Sequence, residues 1–153
     1  MSAPSEFSFR PFTSTDKESC LAIFDANCPE FFAGYERDEY VDFLDEYTEG
    51  YELCEADDEL LGAFGLYVDD DGDHRLTWIM LSPNQQGRGI GSAMMKRVFA
   101  RCSESAAAVL KLATSDKAAP FFEKFGATTT SYTEDGWAPG LHRVDMVVEV
   151  SPD

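Results

Sequence analysis

Apolar and polar residues alternate in "FSFRPF" (Phe7–Phe12), the two-residue period of a half-buried strand. From Asp16 the period lengthens: Leu21, Ile23 and Phe24 predict a helix to about Asn27, with Asp16 as its cap and Pro29 as its stop. A second helix is expected over about Arg37–Tyr47, where Tyr40, Phe43, Leu44 and Tyr47 recur at three and four residues. The strand period then returns. "YELCEA" (Tyr51–Ala56) and "LLGAFGLYV" (Leu60–Val68) flank a turn at Asp57–Glu59, and "HRLTWIML" (His74–Leu81) follows the turn "DDDGD". Ile90, Met94, Val98 and Cys102, four apart, predict a helix from about Gly89 to Arg101. "AAVLKLAT" (Ala107–Thr114) reads as a buried strand. "SDKAAPFFEKFG" (Ser115–Gly126) reads as a short helix, capped by Ser115 or Asp116 and ended by Gly126. "TTTSYT" and "RVDMVVEV" are two last strands around a loop "EDGWAPGLH". The order β-α-α-β-β-β-α-β-α-β-β predicts an α/β (α+β) fold: a mixed sheet with helices on both faces.

With 153 residues the chain is expected to form one domain, residues 1–153, with room for one core. Its charge is unusual: 29 acidic against 12 basic residues, a net of −17. A phosphate backbone needs a basic face, so nucleic acid is not an expected partner, and neither is an anionic membrane. Solubility or a salty cell interior would explain the charge; attraction of a cationic substrate would too. No run reaches the length of a membrane span, and "MSAPSEFSFR" has no basic or apolar leader region. Cys20, Cys28, Cys54 and Cys102 are scattered, without C-x-x-C, and only two histidines accompany them. They read as reduced thiols of a cytoplasmic protein, and no zinc site is expected. "DDDGDH" (Asp69–His74) fails as an EF-hand loop, which would need Gly at His74 and Glu at Met80; it reads as a solvated hairpin turn.

The chemistry concentrates in "NQQGRGIGSAMMKRVF" (Asn84–Phe99). It lacks the Walker pattern and, read from Gly87 or Gly89, fails the dinucleotide fingerprint at Ser92 or Met94. Gly87, Gly89 and Gly91 still allow a tight turn into a helix, where main-chain N–H groups lack partners. The helix dipole adds partial positive charge and Arg88 a full one. That combination suits a pyrophosphate; a ligand-free strand-to-helix turn is the plainer reading.

"LSPNQQGRGIGSAMM" resembles the central motif of the GNAT-type (Gcn5-related) N-acetyltransferases, matching at Leu81, Pro83, Gln86, Gly89 and Gly91. "FFEKFGA" (Phe121–Ala127) resembles that family's F-Y-E-K-x-G-F motif, and the element order is similar over essentially the whole chain. The resemblance implies a mostly antiparallel sheet of about seven strands. It implies acetyl-CoA as co-substrate, no metal, and direct transfer to a small-molecule or peptide amine. It would place pantetheine between two splayed strands, with Leu81, Ser82, Gln86, Gly87, Arg88, Gly89, Ile90, Gly91, Ser92 and Phe122 as cofactor contacts. The backbone N–H of Leu81 would polarise the thioester carbonyl.

Phe122 stands where many members carry a proton-donating tyrosine, so Ser115, or water it holds, is the candidate donor to the departing thiolate. Arg75 occupies the position where some members carry a glutamate base, with Thr77 the next residue on the same face, and neither is a base; water relay to Glu55 or Glu36, or capture of an already neutral amine, stays open. "CPEFFAGYERDEY" and "DGWAPGLH" are the expected acceptor walls, with Phe32, Glu36, Trp137 and His142 as candidate contacts; ordinary packing is the other reading of each. A non-catalytic acyl-CoA-binding or sensor module is the alternative to an enzyme, and a homodimer stays open.

Overall fold

The computed structural model describes residues 7–28, 30–83, 89–105 and 107–150. The elements are β1 (Ser8–Pro11), α1 (Lys17–Ala26), α2 (Glu36–Glu46), β2 (Tyr51–Ala56), β3 (Glu59–Val68), β4 (His74–Leu81), α3 (Ile90–Glu104), β5 (Val109–Ser115), α4 (Ala119–Glu123), β6 (Thr128–Ala138) and β7 (Leu141–Glu149). A short 3-10 turn, Ser14–Asp16, precedes α1. The seven strands form one sheet in the order β1-β2-β3-β4-β5-β7-β6. All neighbours run antiparallel except β4 and β5.

Periodicity sorts the side chains onto two faces. On one, Leu61, Phe64, Leu66, Leu76, Leu110, Leu112, Val144, Met146 and Val148 pack against Ile90, Met94, Met95 and Val98 of α3 and Phe122 of α4. On the other, Leu53, Ala63 and Met80 pack against Cys20, Leu21, Phe24, Tyr40 and Leu44 of α1 and α2. Two ion pairs tie α3 to β2: Arg97 and Arg101 reach Glu52 at 2.9 and 3.3 Å.

Two features of β4 position the site. The strand pairs with β5 only at His74–Leu110 and Arg75–Lys111, at the starts of both strands; beyond Arg75 the two diverge. It also carries a bulge. Ala63 pairs with Met80 and Gly65 with Thr77, so Phe64 alone faces both Trp78 and Ile79. Trp78 takes the extra residue with φ of +45°, a left-handed conformation uncommon for a bulky side chain. The Tyr51 hydroxyl donates to the Trp78 carbonyl at 2.8 Å, so Tyr40, 2.7 Å from Tyr51, donates to Tyr51 in turn. Burial pushes both phenols up, so they hold their protons and fasten the bulge.

The sequence reading needs correcting in three places. The expected helix Ser115–Gly126 is shorter: Ser115 closes β5, a turn follows, and α4 is five residues with Pro120 in its first turn, where proline is tolerated. Ser115 still stabilises that turn, its Oγ accepting the Ala118 N–H at 3.2 Å. The loop "EDGWAPGLH" is mostly strand: β6 runs on through a register shift, with Asp135 at φ +53°, and only Pro139 and Gly140 separate it from β7. Asp16 does not cap α1 with its side chain; its carboxylate accepts from the Thr13 N–H and hydroxyl and binds Arg10 at 2.8 Å. The "DDDGD" segment forms the expected exposed hairpin turn between β3 and β4, and there Asp69, Asp71 and Asp73 converge on the Lys111 ammonium at 3.0, 3.1 and 3.1 Å.

Candidate active site

Where β4 and β5 part, a cavity of about 740 Å³ runs between them. The alternation of side chains divides it. On the α3/α4 face it is lined by Ile79, Leu81, Gly89–Ser92, Phe121 and Phe122, with Lys117 and Lys124. On the α1/α2 face it is lined by Arg75, Thr77 and Trp78 of β4, Asn27 just past α1, Phe32 of the α1–α2 connection, Glu36 of α2, and Trp137 and Arg143 of the β6–β7 hairpin. The gap between the strands joins the halves.

The gap has an open main-chain edge. Ser82 N–H donates to the Leu61 carbonyl at 2.8 Å, toward β3. Successive peptide groups of a strand point to opposite sides, so Leu81 N–H and C=O point away from β3 and into the gap. Asn27 Nδ2 confirms the direction, donating to the Leu81 carbonyl at 2.9 Å. The other Asn27 amide proton goes to Ile23 at 2.8 Å, so the end of α1 is bolted to the edge of β4. The sequence reading missed Asn27; only its place at a helix end marked it.

The expected pyrophosphate loop falls partly in view. Gln86, Gly87 and Arg88 lie outside the described residues. Gly89 adopts φ +79°, which L side chains rarely take, and a Cβ there would meet nothing within 4 Å. Gly91 is needed for close approach: a Cβ would lie 2.7 Å from Phe121, so its absence lets α4 lie against the start of α3. Lys117 in the turn before α4, Phe121 within it and Lys124 at its C-terminal end all line the cavity.

The cations are distributed unevenly. Arg88 is outside the described residues; of the eleven other Lys and Arg side chains, seven stand in ion pairs. Arg75, Lys96, Lys117 and Lys124 make none among the described residues, and all but Lys96 line the cavity. With 29 carboxylates competing for 12 cations, free positive charge at this cavity suits an anionic ligand.

The acceptor-side candidates separate. Phe32 stacks on Phe24 at 5.1 Å and on Trp78 at 6.2 Å, so it both packs and lines the cavity. Tyr35 is exposed and outside the lining. Glu36 is 5% exposed and accepts the Ala33 N–H at 2.8 Å. Burial pushes its carboxyl up and Glu39 adds to the shift, while the Ala33 hydrogen bond and Arg143 oppose it. Trp137 Nε1 donates to the Thr114 carbonyl at 2.9 Å, and Arg143 covers the indole at 4.9 Å. His142 does not reach the cavity lining; its Nδ1 accepts the Asp135 N–H at 2.9 Å inside the hairpin. Ser115, 3% exposed, lines the cavity between the halves. Glu55 is bound to Arg10 at 2.9 Å and outside the lining.

The site is thus a forked mixed sheet with a cavity in the fork, a helix opened by Gly89 beside it and an open strand edge at Leu81 inside. The sequence model of the Acetyltransferase (GNAT) family matches residues 20–127, and the chain belongs to that family. Comparison with curated protein sequences gives no match. Among solved structures, a GNAT-family protein from Desulfovibrio desulfuricans is 22% identical, with 95% of this chain and 100% of that one covered and a TM-score of 0.77. Ard1 from Thermoplasma volcanium is 19% identical over 95% and 99% of the two chains, TM-score 0.80. The yncA protein of Salmonella typhimurium, solved with its cofactor acetyl-CoA, is 12% identical over 97% and 96%, TM-score 0.74. No helix among the described residues is long and apolar enough to cross a membrane.

Proposed function

We propose that the chain moves an acetyl group from acetyl-CoA to an amine in a ternary complex, without a metal. The observation that carries this is the two-sided cavity, with free cations on its α3/α4 half and a buried carboxylate on its α1/α2 half. Acetyl-CoA would bring an activated thioester and a polyanionic handle. The handle's phosphates suit Lys117, Lys124 and the loop from Gln86 to Ser92, in which Gly89 leaves the approach open.

At the reacting centre the chain supplies positioning and charge. Leu81 N–H, fixed toward the gap, is a preset donor for the carbonyl oxygen of the thioester as negative charge builds there. Ser82, Ile90, Gly91 and Ser92 line the same half, and Phe122, 4% exposed, offers only packing. Glu36, Phe32 and Trp137 face the incoming amine, which must lose one proton on forming its N–C bond. Glu36, held up by burial, is a carboxylate able to take it directly or through water. The C–S bond breaks, and the thiolate takes a proton from water held by Ser115, or through the Ser115 hydroxyl as that water replaces the proton given up; the Oγ accepts from Ala118 and keeps its own hydrogen for this relay. A coenzyme thiol with a pKa of roughly 8.5 needs only partial help in leaving.

Thiol release from acetyl-CoA, measured against a panel of amines, tests the reading. Amine-dependent release with loss of one acetyl per thiol is the expected result. Tight acetyl-CoA binding with no release on any amine would instead favour a non-catalytic acyl-CoA module, consistent with Arg75 and Phe122 standing where an enzyme could use a base and an acid.

A further inference from the structure

Among the described residues Arg75 has no ion-pair or side-chain hydrogen-bond partner, where one would be expected. It is half-buried at the apex of the fork, the last β4 residue paired with β5. A partly desolvated guanidinium is costly unless its donors are used. Seven other cations of this acid-rich chain have found carboxylates, yet Arg75 makes no ion pair and no side-chain hydrogen bond among the described residues. Its neighbour across the sheet, Lys111, is committed to three aspartates. Arg75 pairs across β3 with Tyr67, on the face that also carries Thr77, Trp78 and Met80. It therefore opens into the acceptor half of the cavity, away from the helix that starts at Ile90.

The rest of that half completes the pattern. Arg143 is taken up by Asp145 at 3.0 Å and by Trp137, so its charge is balanced. Glu36 and Glu39, one helical turn apart on α2, line the cavity and form no ion pair among the described residues. One guanidinium without a carboxylate and two carboxylates without a cation therefore face the same space from different walls, one Glu36 oxygen being held by the Ala33 N–H. A simple cation would satisfy the glutamates and leave Arg75 unanswered; a simple anion would do the reverse. We propose that the acceptor is zwitterionic, an amino acid or another amine that also bears a carboxylate. Its carboxylate binds Arg75 through the paired N–H donors of the guanidinium, and its amino group lies toward Glu36 and Glu39. Arg75 is then the residue that selects the substrate class. The assignment rests on the acetyl-transfer reading above and narrows it.

The test compares matched acceptors: the protein α-amino acids, their primary carboxamides and the decarboxylated amines. Each is titrated calorimetrically into the CoA-loaded protein and assayed by thiol release with acetyl-CoA. We expect at least one amino acid to be preferred over its carboxamide by about 10-fold or more. Arg75→Met should weaken binding and raise KM for that amino acid by about 10- to 100-fold, with its carboxamide changed less than about threefold. Arg75→Lys should recover part of the loss, and acetyl-CoA affinity should be unchanged in both variants, which shows that they are folded. Equal losses for acid and carboxamide, or a preference of the unaltered protein for carboxyl-free amines, would overturn the assignment while leaving acetyl transfer standing. If no acceptor yields thiol, acetyl transfer fails, and the calorimetric ratio of acid to carboxamide still decides Arg75.

Discussion

Asn27 is the side chain on which the geometry of the gap depends most, and Asn27→Asp isolates its role. The native amide gives one proton to Ile23 at 2.8 Å and the other to Leu81 at 2.9 Å, in a site 8% exposed. Aspartate has nearly the same shape, but its ionised carboxylate donates nothing and faces two carbonyl oxygens. Each lost hydrogen bond is worth about 0.5–1.5 kcal/mol, and a carbonyl left without a donor costs about 1–3 kcal/mol. The expected loss at pH 8 is therefore about 2–4 kcal/mol, roughly 4–15 °C in Tm for a chain of this size. The new carboxyl can relieve the clash by keeping its proton, so its pKa in the fold lies above its unfolded value. The variant's deficit is then smallest below the ordinary carboxylate range and grows as pH rises through the folded-state pKa. Asn27→Ala loses the same bonds without the charge and should show a deficit nearly flat with pH. Urea unfolding of both variants at pH 4 and pH 8 measures this. An Asn27→Asp deficit under about 0.5 kcal/mol at pH 8, or one equal at both pH values, would refute the assignment of both donors to carbonyls.

Further outcomes follow from the same geometry. Burial raises Glu36 above its unfolded pKa, so the stability it contributes is complete below the ordinary carboxylate range and is lost as pH rises through the folded value. Glu36→Gln should thus gain on the unaltered protein between pH 4 and pH 8 in urea unfolding, while binding amines more weakly; a gain independent of pH would contradict this. The Arg10 guanidinium, helped by the Thr13 hydrogen bonds, holds Asp16 down to about 2. Asp16→Asn should cost about 1–2 kcal/mol at pH 7 once water screening is allowed for, a deficit that disappears as pH falls toward 2; a constant deficit would contradict it. Ser115→Ala should lower kcat with little effect on acetyl-CoA affinity, and Phe122→Tyr should keep or raise turnover. An unchanged Ser115→Ala rate across pH removes Ser115 from proton delivery.

The strands of the centre were legible because their apolar residues repeat cleanly. Tyr51–Ala56 and His74–Leu81 begin and end where alternation does. The start of α3 was legible for a different reason: Gly89 and Gly91 stand in a strand-to-helix passage where backbone freedom at the first and close packing at the second explain glycine. The bulge at Trp78 was not. "HRLTWIML" alternates well enough to hide an inserted residue, and the insertion shows only when Ala63 and Gly65 are paired across to Met80 and Thr77. "EDGWAPGLH" read as a loop because Gly and Pro outweighed a pairing that tertiary context supplies: Trp137 anchored on Thr114 and Arg143 stacked on the indole. Asn27 and the isolation of Arg75 depend on partners roughly fifty residues away or on partners that never arrive, and local sequence carries neither.

The central claim is that the fork between β4 and β5 holds acetyl-CoA. Isothermal titration of acetyl-CoA into the full chain tests it most directly. The account predicts one site per chain with affinity in the micromolar range, about −8 kcal/mol. Gly89→Glu, which places bulk and negative charge where Gly89 now leaves open space, should abolish the heat. Absence of binding at millimolar acetyl-CoA, or undiminished binding by Gly89→Glu, would contradict it.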